Sequence, residues 1–507
     1  MSSAPAARPA AGGDYGNIIA GTSQNILGIV VAGLATLVAN LLLARTLGKE
    51  AFGVVTVLTQ AAFVASFATR AGMDMAVLRD VAIAGGADRR STARSSVARA
   101  VVIAAAVSAV VALAVVALAD TIRSLFSIPG AYGSGVVVAA ALGLPGLAMT
   151  NVWLAATRGL KIMRHTLYIF WAGQPLLWIA LMVAGWRVSE TTWMATLAYS
   201  ISWLLASVAA GSAWRRETAG WGSEVPDAGW AARLLRYAGP RAPAALFSQL
   251  LFWTDLFILT RYVDQAEIGV YSAVLRAGHM VVLFLTSMNL MFSPYVADLY
   301  AKGEIERLGR LFKTLTRWTL AATLPAFLLM AVAPSSVLSM FGEGFGSGRT
   351  ALVILLAGQL VNIATGSVGF VLIMVGRTGW DLLVYLGSLI FDVVLAVVLA
   401  SRYGMEGAAV ANAVTFGVSN LARLVLVHRI VGIQPYDRAY LRLAGPVLVG
   451  GGAMLVAHRL APDRWALDLL LTGSLGVLAY TLAYLALAAT DEERTGLRRL
   501  LGRIPPG

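Results

Sequence analysis

The chain has 507 residues, of which 58% are apolar and only 13% charged, with a mean hydropathy of +0.76; a soluble domain carries roughly 25% charged residues, so this is an integral membrane protein. The net charge of +13 is not gathered in one basic domain but recurs in short clusters between apolar runs, which is membrane topology and no sign of a nucleic-acid partner. Cysteine is absent and the four histidines, His165, His279, His428 and His458, are scattered. Disulfides, thiolate chemistry and a histidine metal cluster therefore have no support, and without a phosphate-binding loop neither has nucleotide hydrolysis.

Taken in order, residues 1–15 are rich in Ala, Pro, Gly and Ser and predict a disordered tail. The apolar run 16–44 is too long for a signal-peptide core and reads as a retained first span. A span needs about 20 apolar residues. Fourteen segments qualify, near 17–43, 52–72, 98–119, 134–156, 166–186, 192–213, 242–260, 269–295, 317–340, 351–375, 381–400, 407–427, 441–458 and 466–489. Alternate loops and the two tails hold about 27 basic residues on one side of the membrane against about 9 on the other, which puts both termini in the cytoplasm. Outer loops reach no more than about fifteen residues, leaving no room for an external catalytic domain, so an enzyme is not expected.

A displacement of 216 residues lays Arg45 to Thr56 on Arg261 to Ser272 without a gap and the basic loop at Asp88 on that at Glu304. Spans one to six thus repeat as spans seven to twelve. An even-numbered unit repeats in the same orientation, so the lobes should be related by an axis along the membrane normal. The predicted fold is all-α, with an N-lobe over 16–217, a cytoplasmic linker over 218–239, a C-lobe over 240–430, two additional spans over 431–490 and a basic tail over 491–507. In the linker, Asp227 would cap a helix with Trp230, Leu234 and Leu235 on one face and Arg233 and Arg236 away from it, suited to the inner leaflet. The segment from Lys302 to Arg317, with Leu308, Leu311, Phe312 and Leu315, reads the same way.

Particular residues match a family pattern: Arg45, Leu47, Gly48, Phe52 and Gly53 after span one; Gly72, Asp74 and Arg79 after span two; Gly239, Pro240 and Asp255 in span seven; Gly269, Tyr271, Ser272 and Arg276 in span eight; and Tyr403, Gly404, Gly407 and Ala408 opening span twelve. In these the chain resembles the oligosaccharide-lipid flippases, the polysaccharide transporter branch of the multidrug/oligosaccharidyl-lipid/polysaccharide exporter superfamily. The resemblance covers spans one to twelve. It implies carriage of an undecaprenyl-type pyrophosphate-linked oligosaccharide from the inner to the outer leaflet of a bacterial cytoplasmic membrane, by alternating access through a central cavity. The implied partners are that lipid-linked glycan and the membrane lipids, with a polysaccharide polymerase or glycosyltransferase complex alongside a monomeric transporter. No cofactor is implied beyond a proton or sodium gradient.

Charges inside spans carry the site. Arg276 lies about seven residues into span eight, roughly 10 Å deep, with His279 one turn on and Ser287 again on that face. One reading is a cationic patch for pyrophosphate or an acidic sugar; the other is an ion pair with Asp255. Gln60 holds the place of Arg276 in the first lobe, and Asn40 lies one residue from that of Asp255, so the second lobe should grip the anion. Asp392, mid-span in span eleven, is expensive for a carboxylate; it is either a proton or sodium coupling site, together with Asp255, or a protonated acid bonding to a neighbouring helix. Asn25 in span one, Gln359 and Asn362 in span ten and Arg423 at the end of span twelve are polar-face candidates, and Arg45 and Arg70 are secondary pyrophosphate candidates. Pro145, Pro175 and Pro325 offer bending points. Two other substrates fit the same fold: lipid II of peptidoglycan synthesis, whose flippase concentrates its cavity arginines in the first lobe, and organic cations, which need the acidic residues that Asp255 and Asp392 supply.

Overall fold

The computed structural model describes residues 12–84, 87–222, 224, 229–490 and 493. The tail up to residue 11, the Asp227 cap and the basic tail after Glu493 lie outside the described residues. Residues 12–15, assigned to the tail by composition, are helical. All regular structure among the described residues is helix, as lipid requires of a chain that does not close into a barrel.

Two helices, Gly12–Thr69 with 58 residues and Thr378–Val431 with 54, would each exceed about 80 Å at 1.5 Å per residue, far more than the roughly 30 Å of hydrocarbon. Each is broken once, at Gly48 (φ 81°) and Gly404 (φ 54°), where the left-handed conformation is open to glycine. Each therefore supplies two spans. Ten described helices are long and apolar enough to cross a membrane, and the bent pair Gln265–Met280 with Leu283–Asn289 makes an eleventh. Counting the two broken helices twice and adding the short apolar helix Ala245–Leu259 gives the fourteen spans that hydropathy predicts.

Within the first lobe, Leu144–Gly159 packs on Met73–Ile83, Ala87–Ala117 and Thr192–Glu217; within the second, Thr378–Val431 packs on Trp230–Leu259, Arg349–Thr365 and Val368–Met374. The lobes meet along the side that is poor in charge. There one apolar core runs through both, from Leu43, Phe52 and Leu147 to Tyr271, Phe341 and Phe345. On the basic side the cores are separate: Met73, Val97, Val152 and Trp214 in the first lobe, Phe292, Leu308, Phe312 and Val427 in the second.

The seam repeats the 216-residue relation. Arg45 donates from Nε to the Met340 carbonyl at 2.7 Å, and Arg261 donates from its guanidinium to the Ser124 carbonyl at 3.5 Å; both donors and both acceptors are 216 positions apart. Gln265 adds a bond of 2.8 Å to the Phe126 carbonyl.

Spans thirteen and fourteen, Ala444–Leu460 and the helix from Trp465, pack on each other and on Ile305–Val332. They are pinned at both ends. Asp468 accepts from Ser336 and, at 2.9 Å, from Thr472, while Glu493 pairs with Arg317 and accepts from Trp318.

Two expectations give way. The segment with Leu308 and Phe312 does not lie on the leaflet: it is the first part of the helix Ile305–Val332, and both side chains are buried in the second lobe's core. Packing against Phe292 removes more apolar area from water than an interfacial position would. Ser287 also leaves the face of Arg276, because span eight bends by 44° between Met280 and Leu283; its hydroxyl instead donates to the Leu283 carbonyl at 2.9 Å.

Candidate functional site

Span seven and the first half of span eight form an antiparallel hairpin that turns near Val263. Residues equally far from the turn share a depth, so Asp255 stands level with Tyr271 and not with Arg276, which is five residues, or about 7 Å, deeper. The ion pair between Asp255 and Arg276 is accordingly not made. The Tyr271 hydroxyl donates to Asp255 Oδ2, and Asn412 Nδ2 from span twelve donates to the same oxygen at 3.2 Å.

Around Asp255 the acceptors outnumber the donors. Asp255 and Asp392 are both 0% exposed and near enough to interact electrostatically. Asp255 Oδ1, both oxygens of Asp392, Asn412 Oδ1 and the Thr415 hydroxyl have no hydrogen-bond partner. Buried acids beside neutral oxygens have the chemistry to take a proton or a small hard cation, which prefers oxygen ligands. Among the described residues no group of three or more His, Cys, Asp or Glu is suited to a metal ion.

Arg276 occupies a different environment. Its guanidinium lies 5.3 Å over the Trp253 ring, its Nε has no partner, and Tyr199 of the first lobe is its electrostatic neighbour. His279 stands edge-on to Phe252 and Trp253 at 5.5 and 5.6 Å, its Nε2 unpartnered. Arg276 and His279 thus share Trp253, as their spacing of three predicts. An arginine held by a ring face keeps its N–H fork for an anion.

The other candidates are dispersed. Gln60 is buried. Asn40 donates to the Thr36 carbonyl at 2.7 Å, and Asn362 donates to Gln359 at 3.1 Å, leaving Gln359 Nε2 without a partner. The Asn25 side chain lies outside the described residues. Arg45 is at the seam, 5.1 Å over Trp465. Arg70, buried, pairs with Asp74 at 3.5 Å and covers the Phe67 ring at 3.6 Å. Arg423 donates to Asp381 at 3.1 Å and to Ser419 at 2.6 Å over the ring of Tyr385, so it ties span twelve to span eleven.

Sequence reasoning passed over Trp253, Thr415 and Asp381, and it did not pair Tyr271 with Asp255. The equal distances of Asp255 and Tyr271 from the turn were the available signal.

The family profile described as polysaccharide biosynthesis protein matches residues 18–300, more than half of the chain. A curated relative, the probable low-salt glycan biosynthesis flippase Agl15 of Haloferax volcanii, is 22% identical over 232 residues, 46% of this chain and 49% of its own length. The chain therefore spans about half the length of that relative. Among solved structures, the lipid II flippase MurJ in an inward closed conformation superposes with a TM-score of 0.68 at 12% identity, over 95% of this chain and 100% of the other. An inward-facing multidrug resistance MATE family transporter of the MOP superfamily gives 0.66 at 13%, over 80% and 98%. At such identities these likenesses concern the fold, which is that of two six-span lobes.

Proposed function

We propose, from the premise that this chain belongs to the polysaccharide biosynthesis protein family, that it flips a polyprenyl-pyrophosphate-linked oligosaccharide from the inner to the outer leaflet of a cytoplasmic membrane. The basic side then faces the cytoplasm, following the excess of arginine. One apolar core across both lobes on the charge-poor side supports loading from the cytoplasmic side.

The observation that supports this reading best is Arg276. A cation inside the membrane is costly, yet this one is stacked on Trp253 with no acidic partner among the described residues, which leaves its charge for an anionic ligand. The pyrophosphate meets the guanidinium, the sugar occupies the polar space between the lobes, and the polyprenyl tail stays in lipid. Gln60, at the equivalent place in the first lobe, is neutral, so the second lobe holds the anion. Asp255 and Asp392 take a proton or a sodium ion, and their occupancy couples lobe movement to a gradient.

Arg276 also sets this reading apart from export of organic cations, which it would repel. Lipid II carries the same pyrophosphate and differs in its sugar and peptide. The test is reconstitution: vesicles loaded with undecaprenyl-pyrophosphate oligosaccharide on the inner leaflet should expose it to a glycosidase added outside. Persistent protection of the glycan would refute the flippase reading. Neighbouring genes for glycosyltransferases and a polymerase would favour a polysaccharide substrate, and cell-division genes lipid II.

A further inference from the structure

At the seam, spans two and eight cross with Gly53 facing Gly269. A Cβ on Gly53 would stand 2.8 Å from the Gly269 amide nitrogen, and one on Gly269 would collide with the Lys49 carbonyl. Three and seven residues further along the same helical faces come Thr56 and Gln60 in one lobe, Ser272 and Arg276 in the other. Each couple is related by the 216-residue repeat.

Thr56 and Ser272 are 1% and 0% exposed, and neither hydroxyl has a partner. Other buried hydroxyls, those of Thr59, Thr254, Thr316 and Thr319, each donate to the carbonyl four residues earlier, while Ser207 and Thr415 are unpartnered as well. A buried hydroxyl left unbonded is unfavourable. Thr56 and Ser272 are related by the repeat and stand on the two helices that cross at Gly53 and Gly269.

We infer that Thr56 and Ser272 form a second glycan subsite, hidden by the Gly53–Gly269 crossing in this conformation and uncovered when the lobes part on the charge-poor side. The inference rests on the flippase reading above. Span eight carries Arg276 one turn below Ser272, so with the pyrophosphate at Arg276 the sugar lies toward the exit, level with the two hydroxyls. Each hydroxyl both donates and accepts and bonds sugar hydroxyls of either orientation. The glycines provide the closure, since only backbones without side chains approach closely enough to bury the hydroxyls between them.

The sequence contains no cysteine, so Thr56→Cys and Ser272→Cys each give a unique thiol in the full chain. A membrane-impermeant maleimide added outside should label these thiols slowly in vesicles lacking substrate. Labelling should accelerate severalfold when undecaprenyl-pyrophosphate oligosaccharide extracted from the expressing cells is being flipped. Thr56→Val combined with Ser272→Ala should reduce flipping about tenfold, as expected for two lost neutral hydrogen bonds to a ligand. Undiminished flipping by the double variant, or cysteines that remain unlabelled while the protein flips, overturns the subsite. If the double variant does not accumulate in the membrane, the single-cysteine labelling decides. Failure of the natural chain to flip the same extract would instead overturn the flippase reading.

Discussion

The guanidinium of Arg276 rests 5.3 Å above the ring of Trp253, and its Nε remains without a hydrogen-bond partner. Arg276→Ala should abolish flipping in a complementation assay while the protein stays in the membrane. Arg276→Lys should restore only part of it, because a lysine is a point charge that neither forks onto phosphate nor stacks as arginine does. Trp253→Leu should weaken substrate binding by about 0.5–2 kcal/mol, the range of a cation–π contact, visible as a higher half-saturating concentration. Normal flipping by Arg276→Ala would remove the anion site from the mechanism.

The acid pair predicts a separable phenotype. Asp392→Asn and Asp255→Asn should leave the protein folded, since the amide keeps the shape of the acid and at position 255 can still accept from Asn412, but flipping should lose its response to a sodium or proton gradient. Flipping rates measured in vesicles with and without each gradient give the answer. A gradient response that survives Asp392→Asn would exclude the pair from coupling.

Arg423 and Asp381 predict a stability effect. They form a buried pair at 3.1 Å, and removing one partner strands the other charge at a cost of about 3–5 kcal/mol. Arg423→Leu should therefore lower the midpoint of thermal unfolding in detergent much more than Arg423→Leu with Asp381→Leu. A double-mutant cycle without coupling between the two sites would contradict this.

The two interrupted helices predict unequal penalties. At Gly48 (φ 81°) nothing lies within reach of an added Cβ, whereas at Gly404 (φ 54°) it would stand 2.7 Å from Glu267 Oε1, the oxygen that accepts from the Met405 amide at 3.0 Å. Gly48→Ala should cost about 1–2 kcal/mol for the left-handed backbone alone. Gly404→Ala should cost more, because Glu267 must also move. Unfolding midpoints of the two variants test the ordering.

The all-helical fold, the span number and the repeat were legible in the sequence because hydropathy and the match of residues 45–56 to 261–272 are one-dimensional signals. The meeting of Gly53 with Gly269 is that match seen in three dimensions. Contacts across the hairpin were less legible: of the two readings of Arg276, the ion pair with Asp255 is not made because depth is counted from the turn near Val263, and Tyr271 is the residue level with the acid. Ser287 was misplaced because the 44° bend follows no proline or glycine between Met280 and Leu283. Leu308 and Phe312 were misread because an apolar helical stripe looks the same whether it meets lipid or, as here, another helix. Arg423 was placed correctly at the end of span twelve, but its partner Asp381 is 42 residues away and nothing in the spacing joins them.

The reciprocal bonds from Arg45 to Met340 and from Arg261 to Ser124 have a historical reading. A contact in which residue i of one half meets residue j of the other, and j meets i in return, is the isologous interface of a twofold homodimer. A six-span ancestor pairing with its own copy would have made both bonds from a single sequence. Fusion of the copies then released each half from the obligation to match, and Gln60 opposite Arg276 marks where the halves parted: one chain could become charged on one side of its axis only, which no symmetric dimer can do.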